Sequence, residues 1–389
     1  MKILVLHTFY KRSGGEDTVV LNEVKLLQNN GHEVELLQFD NSQATLLKLI
    51  FLPFNIKSFI RTKRKIRSFR PDVVHIHNMH FAASPSVIYA AHSLKIPVVL
   101  TLHNYRLLCP SASLFFNGKI FLESLSSGFP WKAVKIGAYK NSTLLTFWLA
   151  FANYIHQKLK TYNKVNAFIV LGAHSKELFA SSNFQVSPEK FIVKPNFTES
   201  VKSNFFSEED KYFLFVGRLT EEKGIETLLN AFSKTGTKLK IVGSGPLEPM
   251  VLNAIRNNSN IEYLGQQPAG NIAQLLEHAE ALIFPSRWFE TFGMVLIEAF
   301  SKSIPVIASA LGNIENIVTS GKNGLTFEAG NDQDLRLKID YYKNLPPEVK
   351  ERYKKIARET YENTYSPLAN YNQLIKIYND AINKHSYRR

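Results

Sequence analysis

The stretch from residue 287 to 300, RWFETFGMVLIEAF, carries two carboxylates, Glu290 and Glu298, with seven residues between them in an otherwise apolar run that contains a glycine. Acids in such surroundings are either buried structural residues or part of a site. Read as a helix, eight positions span about 12 Å, longer than the ~5 to 9.5 Å between the paired carboxyls of glycoside hydrolases. An acid/base pair is therefore disfavoured. A helix capped by Thr291 and beginning near Phe292 and Gly293 would instead offer free N–H groups as an anion seat, with one glutamate towards each end of an extended ligand.

Other chemistry-bearing residues also follow apolar, strand-like runs. In GRLTEEKG, Arg218 and Lys223 can clamp a diphosphate, one as a fork and one as a point charge; a solvated loop is the competing reading. Gly14 and Gly15 precede a helical pattern, where backbone N–H groups can approach a phosphate, or the pair is a simple turn. GSGP begins at Gly243, but Glu248 occupies the place of a third glycine, so NAD binding is disfavoured while close approach to a base or ribose stays open. His103, ending LTLH, can bond a sugar hydroxyl or stabilise developing charge; a satisfied core histidine is the alternative. In VVHIHNMH, His75 and His77 share a strand face, yet no carboxylate or cysteine accompanies them locally. Polar lining or structure is favoured over metal for them and for His80. Asn78, Asn104, Tyr105 and Arg106 are candidates on the acceptor side. Asp332-Gln333-Asp334 spells a metal motif of a different fold, but after Asn331 and before LRLKI it reads as a helix start with acids in its first turn.

These residues need a scaffold that gathers strand ends. The 389 residues exceed one ordinary core and suggest two domains. KILVLH, HEVELLQF, PDVVHIHN, IPVVLTLHN and NAFIVLG alternate with helical patterns, and the plan restarts at YFLFVGRL, KLKIVG, IEYLG, ALIFP and IPVIAS. Such alternation gives parallel sheets covered on both faces, with ligands at the strands' carboxyl ends. The predicted α/β organisation is a Rossmann-like domain over 1–196, a polar linker over 197–211, a second such domain over 212–366 and a helix over 367–389 packing back on the first. Cys109, the single cysteine, cannot form an internal disulfide, and no uninterrupted apolar run reaches the length of a membrane span. MKILVLHTF reads as a first buried strand, not a leader. A reducing cytoplasm fits.

Taken together, GRLTEEKG, IVGSGPLE and PSRWFETFGMVLIEAF closely resemble the retaining glycosyltransferases of family 4, with the GT-B fold of two domains facing across a deep cleft; GGEDTVV, TLHNYRLLCP and GKNGLTFEAGN extend the likeness over nearly the whole chain. The resemblance implies sugar contact for Glu290, ribose contact for Glu298 and diphosphate neutralisation by Arg218 and Lys223. It also implies backbone contact at Phe292, Gly293, Met294 and Val295, approach of Gly15 from the opposite domain, and His103 facing the donor sugar. It implies no metal or other cofactor, the cations and helix terminus taking the leaving-group charge. Close relatives often carry a CxxC after LLCP; here Phe121 and Ser124 stand in GKIFLESL, leaving Cys109 structural. The implied reaction moves a hexose from a UDP- or GDP-linked donor to an acceptor hydroxyl with retention, the leaving phosphate helping to deprotonate the acceptor.

Charge is unevenly placed. Between Asn41 and Lys176 eighteen Lys and Arg face two acids, whereas the rest of the chain sums to −2. KLIFLPFNIKSFIRTKRKIRSFR (48–70) and WKAVKIGAYKNSTLLTFWLAF (131–151) mix apolar and basic residues in the manner of interfacial helices on an anionic leaflet. The expectation is peripheral association with the cytoplasmic face of the inner membrane and a polyprenyl-diphosphate-linked glycan acceptor of O-antigen, capsule or exopolysaccharide type. Solvated helix faces are the alternative. A basic nucleic-acid binder would leave the second-half motifs unexplained, so nucleic acid is not an expected partner; a GT-B epimerase or sugar phosphorylase is the nearer rival.

Overall fold

A computed structural model describes residues 1–10, 14–41, 51–200 and 211–386. Most of the expected linker (201–210) and the start of the basic segment (48–50) lie outside the described residues. The chain divides into two compact units, one formed by Met1–Leu114, Phe121–Pro195 and Asn370–Arg389, the other by Phe115–Ile120 and Asn196–Ala369.

In the first unit β1 (Lys2–Phe9) is buried at Ile3, Leu4, Val5 and Leu6 alike, as a central parallel strand covered on both faces must be. It pairs in parallel with β2 (Glu33–Asp40) and β3 (Val73–Ile76); β4 (Val98–Leu102), β7 (Ala167–Val170) and β8 (Phe191–Val193) complete the order β2-β1-β3-β4-β7-β8. The helix Gly15–Asn29 stops at Asn30, and Gly31 follows at φ 79°, the left-handed exit expected from Asn-Asn-Gly. The last helix, Pro367–Ser386, sends Leu374, Ile377, Tyr378 and Ala381 into the same core as Ile3, Val5, Val20 and Leu27.

The second unit orders β9 (Tyr212–Val216), β10 (Leu239–Val242), β11 (Ile261–Tyr263), β12 (Ala279–Phe284), β13 (Val306–Ser309) and β14 (Gly324–Phe327) as β11-β10-β9-β12-β13-β14, again parallel. β8, β14 and a two-residue hairpin (β5, Phe115–Phe116; β6, Lys119–Ile120) carry too little periodicity to be read from sequence. The segment 131–151 is not one interfacial helix. It breaks into Trp131–Lys135 and the start of Thr143–Lys158, where Leu149 and Ala152 pack with Leu52.

Loop packing in the second unit depends on glycine. Gly243, at φ 142°, lies against the carbonyl of Gly217, where a Cβ would overlap the oxygen. Gly243→Ala is therefore expected to lower stability by about 3 kcal/mol through overlap and strain. Gly270→Ala, in open space within the helix Ala269–His278, is expected to leave the thermal midpoint unchanged or slightly raised. Equal midpoints for the two variants would refute this packing role.

Candidate active site

In each sheet the strand order reverses once, beside β1 in the first unit and between β9 and β12 in the second. Loops leaving a reversal point diverge in opposite directions and open a crevice at the strands' carboxyl ends.

In the second unit the loops after β9 and β12 are tied together. Arg287 N–H donates to the Glu222 carbonyl at 2.8 Å, and Gly224, at φ 71°, lies against the Pro285 carbonyl with no room for a Cβ. Lys223 Nζ donates to Glu290 Oε1 at 2.5 Å, and Ser286 Oγ–H donates to the same oxygen at 2.7 Å. Asn313 Nδ2–H donates to the Glu290 and Thr291 carbonyls at 3.2 and 2.9 Å, fixing the backbone that carries the acid. Burial pushes the Glu290 carboxyl up, but the Lys223 charge and the hydrogen bonds outweigh it, so it titrates below its ordinary value. The sequence assigns Lys223 and Glu290 to different parts of a ligand; the fold pairs them directly. Arg218 is exposed and pairs with Glu222 at 3.1 Å.

The helix after this loop is Met294–Ser301, and its cap is Gly293 at φ 101°, not Thr291. Residues 290–293 are not helical, so the straight-helix spacing of the two glutamates does not apply. The N–H groups of Met294 and Val295 begin the first turn, where no earlier carbonyl is in helical reach. Phe292 turns its ring into the core against Tyr365, leaving only its backbone to a ligand. Glu298 lies one turn in, half-buried, and has no ion-pair partner among the described residues. Burial alone pushes its carboxyl above the ordinary value. The glycine at Gly243 already has a packing reason, so no base or ribose is needed to explain it. Ser286, Asn313 and Trp288 were not singled out from sequence. Lys223 lies 5.7 Å from the Trp288 ring centroid, and the Trp288 side chain is among the hydrogen-bond partners that hold the Glu290 carboxyl down. The signal available was an aromatic directly after a strand-end loop.

Asn331, as expected, caps the helix Asp332–Lys343, accepting from the N–H groups of Gln333 and Asp334. Asp332 pairs with Lys234 and Asp334 with Lys338, at 3.6 and 3.5 Å.

In the first unit Gly15 opens its helix, and Asp17 accepts from Gly14 N–H at 3.2 Å while its other oxygen is 2.8 Å from His7 Nε2. Space around Gly15 is open. Asn78 is buried, and its Oδ1 accepts from His80 N–H. Asn104 Oδ1 accepts from Arg106 N–H at 3.0 Å. Arg106 lies 5.2 and 5.3 Å from the ring centroids of Phe81 and Tyr139. Tyr105 corrects the expectation: it is a core residue, 1% exposed, with its hydroxyl 2.9 Å from Ser175 Oγ. Sequence reading missed Glu16, having stopped at the glycines before it. Burial and the Asp17 charge push its carboxyl up to about 8. A side-chain hydrogen bond from Asn78 and the Arg106 charge act the other way on Glu16, so the three side chains form one polar group, in which Arg106 Nε is buried without a hydrogen-bond partner among the described residues. Ser111 and Ser124 hydroxyls donate to Cys109 Sγ at 3.3 and 3.4 Å, a structural setting for the single thiol.

His75 and His77 gain a partner that is distant in sequence. A carboxylate absent from the local sequence is supplied by Glu23 from the first helix. Lys194 Nζ lies 3.1 Å from Glu23 Oε2, and both His75 nitrogens already have hydroxyl partners, so a cation would have to displace an ammonium and break existing bonds.

Comparison with known proteins agrees with the two-unit parallel-sheet fold. The family model "Glycosyltransferase Family 4" matches residues 13–200, and "Glycosyl transferases group 1" matches residues 196–360. An uncharacterized glycosyltransferase of Methanocaldococcus jannaschii is 27% identical over 87% of each chain. An uncharacterized 42.6 kDa protein in the cps region of Klebsiella pneumoniae is 23% identical over 82% of this chain and 87% of its own. Among solved structures, a glycosyltransferase from Rickettsia africae superposes with a TM-score of 0.70 at 16% identity, covering 98% of this chain and 99% of its own. Anabaena HepE in complex with UDP-glucose gives 0.64 at 16% identity, with 97% and 98% covered. Paired Rossmann-like units whose sheets are all parallel, with site motifs at their reversal points and two adjoining family matches, identify the chain as a member of the family 4 type of GT-B glycosyltransferases.

Proposed function

We propose that the protein is a retaining, metal-independent hexosyltransferase that uses a UDP- or GDP-linked hexose to extend a lipid-linked cell-surface glycan of O-antigen, capsule or exopolysaccharide type. The observation that carries this reading is the Lys223–Glu290–Ser286 cluster at the reversal point of the second sheet, next to a helix start and Glu298, which has no ion-pair partner among the described residues. Arg218 and Lys223 meet the diphosphate with the Met294 and Val295 N–H groups, Glu298 takes the ribose hydroxyls, and Glu290 and His103 contact the sugar. The acceptor hydroxyl oxygen bonds to the anomeric carbon as the carbon–phosphate oxygen bond breaks. The leaving diphosphate keeps the electron pair and takes the acceptor proton. Asn78 and Arg106, joined by Glu16, serve the acceptor. The UDP-glucose complex of Anabaena HepE and the cps-region location of the Klebsiella relative support the donor and product classes.

The test is a thermal-shift screen of nucleotide sugars followed by NMR of the product. Stabilisation by one donor and a retained anomer are expected; an inverted anomer overturns retention. Turnover of donor without acceptor would mark an epimerase.

The same reading assigns the protein to the cytoplasmic face of the inner membrane. No helix among the described residues is long and apolar enough to cross a membrane. Support comes from the helix Ile56–Phe69 and the turn before it, which expose Phe51, Phe54, Ile56 and Ile60 beside Lys57, Arg61, Arg64 and Arg67. Near-surface basic residues contribute about 1 kcal/mol each on anionic lipid. Sedimentation with vesicles containing 30% (~0.3 mole fraction) anionic lipid should capture the protein at low salt, and Arg61→Glu/Arg64→Glu should lower capture about tenfold or more. Equal capture by neutral vesicles would remove the electrostatic part of the reading.

A further inference from the structure

Behind His103 lies a buried polar cluster that the transfer step leaves unused. Glu23, His75, His77, Thr101, Lys194 and Tyr378 are each no more than 4% exposed. Glu23 Oε2 is 3.1 Å from Lys194 Nζ. Its Oε1 is 3.0 Å from His77 Nε2 and 3.2 Å from His75 Nδ1. His75 is held further by the Tyr378 and Thr101 hydroxyls, both at 2.7 Å. His77 Nδ1 is 3.0 Å from His103 Nε2, with the two rings stacked.

Protons can be assigned from these contacts. Burial pushes the Glu23 carboxyl up, yet Lys194 and the histidines hold it well below the usual carboxylate range. Burial pushes His77 down to about 3 and His103 well below its ordinary value, so both rings are neutral at working pH. The Glu23 oxygen 3.0 Å from His77 Nε2 is anionic, so it attracts a ring N–H and repels a ring lone pair. His77 is then protonated on Nε2, its Nδ1 is an acceptor, and the proton between His77 and His103 belongs to His103 Nε2.

We propose that Glu23, His77 and Lys194 are positioning residues that fix His103 as the Nε2-protonated tautomer, so that its Nδ1 accepts hydrogen bonds. The consequence for transfer rests on the reading of His103 as a sugar contact: an acceptor nitrogen suits a sugar hydroxyl and cannot donate to a phosphate. The single charge at Glu23 thereby selects which substrate group His103 can meet. Loss of the relay removes the selection at His103 Nε2, and the other tautomer offers a donor where the hydroxyl needs an acceptor.

Selective ring 15N labelling of histidine tests the assignment directly, with His103→Ala identifying the His103 signals. In the wild type both His77 and His103 are expected to carry the proton on Nε2 alone from pH 6 to 9 (about the range where an unperturbed histidine finishes titrating). His77→Phe, which removes the acceptor, is expected to give a mixed His103 tautomer and to lower kcat about tenfold with the donor KM little changed. The double variant His77→Phe/His103→Ala should fall no further than His103→Ala. Tyr378→Phe, which removes only a bond to His75, should leave the His103 signals as in wild type. A wild-type His103 protonated on Nδ1, or an unchanged tautomer in His77→Phe, overturns the relay. The wild-type spectrum decides even if His77→Phe does not fold. Full activity in His103→Ala would instead overturn the sugar contact, with the tautomer measurement still judging the relay.

Discussion

Lys223→Met lowers kcat/KM for the donor by about 10³-fold and also lowers the thermal midpoint. Lys223 is one of two cations at the leaving diphosphate in the proposed reaction and the direct partner of Glu290, so one substitution removes charge stabilisation and leaves a buried carboxylate without its ion-pair partner. Breaking a buried pair from one side costs about 3 to 5 kcal/mol. Lys223→Met/Glu290→Gln separates the effects, because it removes the stranded charge; it should recover most of the lost midpoint and none of the lost turnover. Glu290→Gln alone should lower kcat with the donor KM within about threefold, as expected for a group engaged chiefly in the transition state. The sign of the pH dependence follows from the depressed carboxyl of Glu290. Stability from the pair is complete above the ordinary carboxylate pKa and is lost as pH falls through the lower folded value. Wild-type kcat/KM in Lys223→Met would remove the cluster from the mechanism.

Glu298→Gln gives the opposite signature. Its donor KM should rise about 10- to 100-fold, equivalent to ~1.4 to 2.8 kcal/mol, with kcat nearly unchanged, because ribose contacts hold ground and transition states alike. The free protein should become more stable at neutral pH. Burial raises the Glu298 carboxyl and no cation compensates it among the described residues, so removing its charge relieves a cost that the ligand otherwise offsets. Stabilisation of the variant by nucleotide sugar, read by thermal shift, should weaken in step with KM. A variant less stable than wild type that still binds donor normally would assign Glu298 to the fold.

Much of this site was legible from residue order. GRLTEEKG and the E-x7-E stretch follow strands, and in a parallel sheet residues that follow strands gather at one edge, so their nearness needs no side-chain detail. The first-unit candidates were gathered in the same way, but their roles separated only in three dimensions. Tyr105 shares a loop with Arg106, yet one faces the core and the other stacks on Phe81 and Tyr139. Such loops lack the periodicity that tells inside from outside.

By itself the sequence determined the two parallel-sheet units, the edge at which chemistry collects and the family, because apolar runs, turn residues and strand-end motifs are local. Only the tertiary structure decided the pairings. Glu290 meets Lys223 across 67 residues, Glu23 meets Lys194 across 171, and His75 meets Tyr378 across 303. A buried charge takes whatever partner the packed chain brings within reach, and no local pattern encodes that partner.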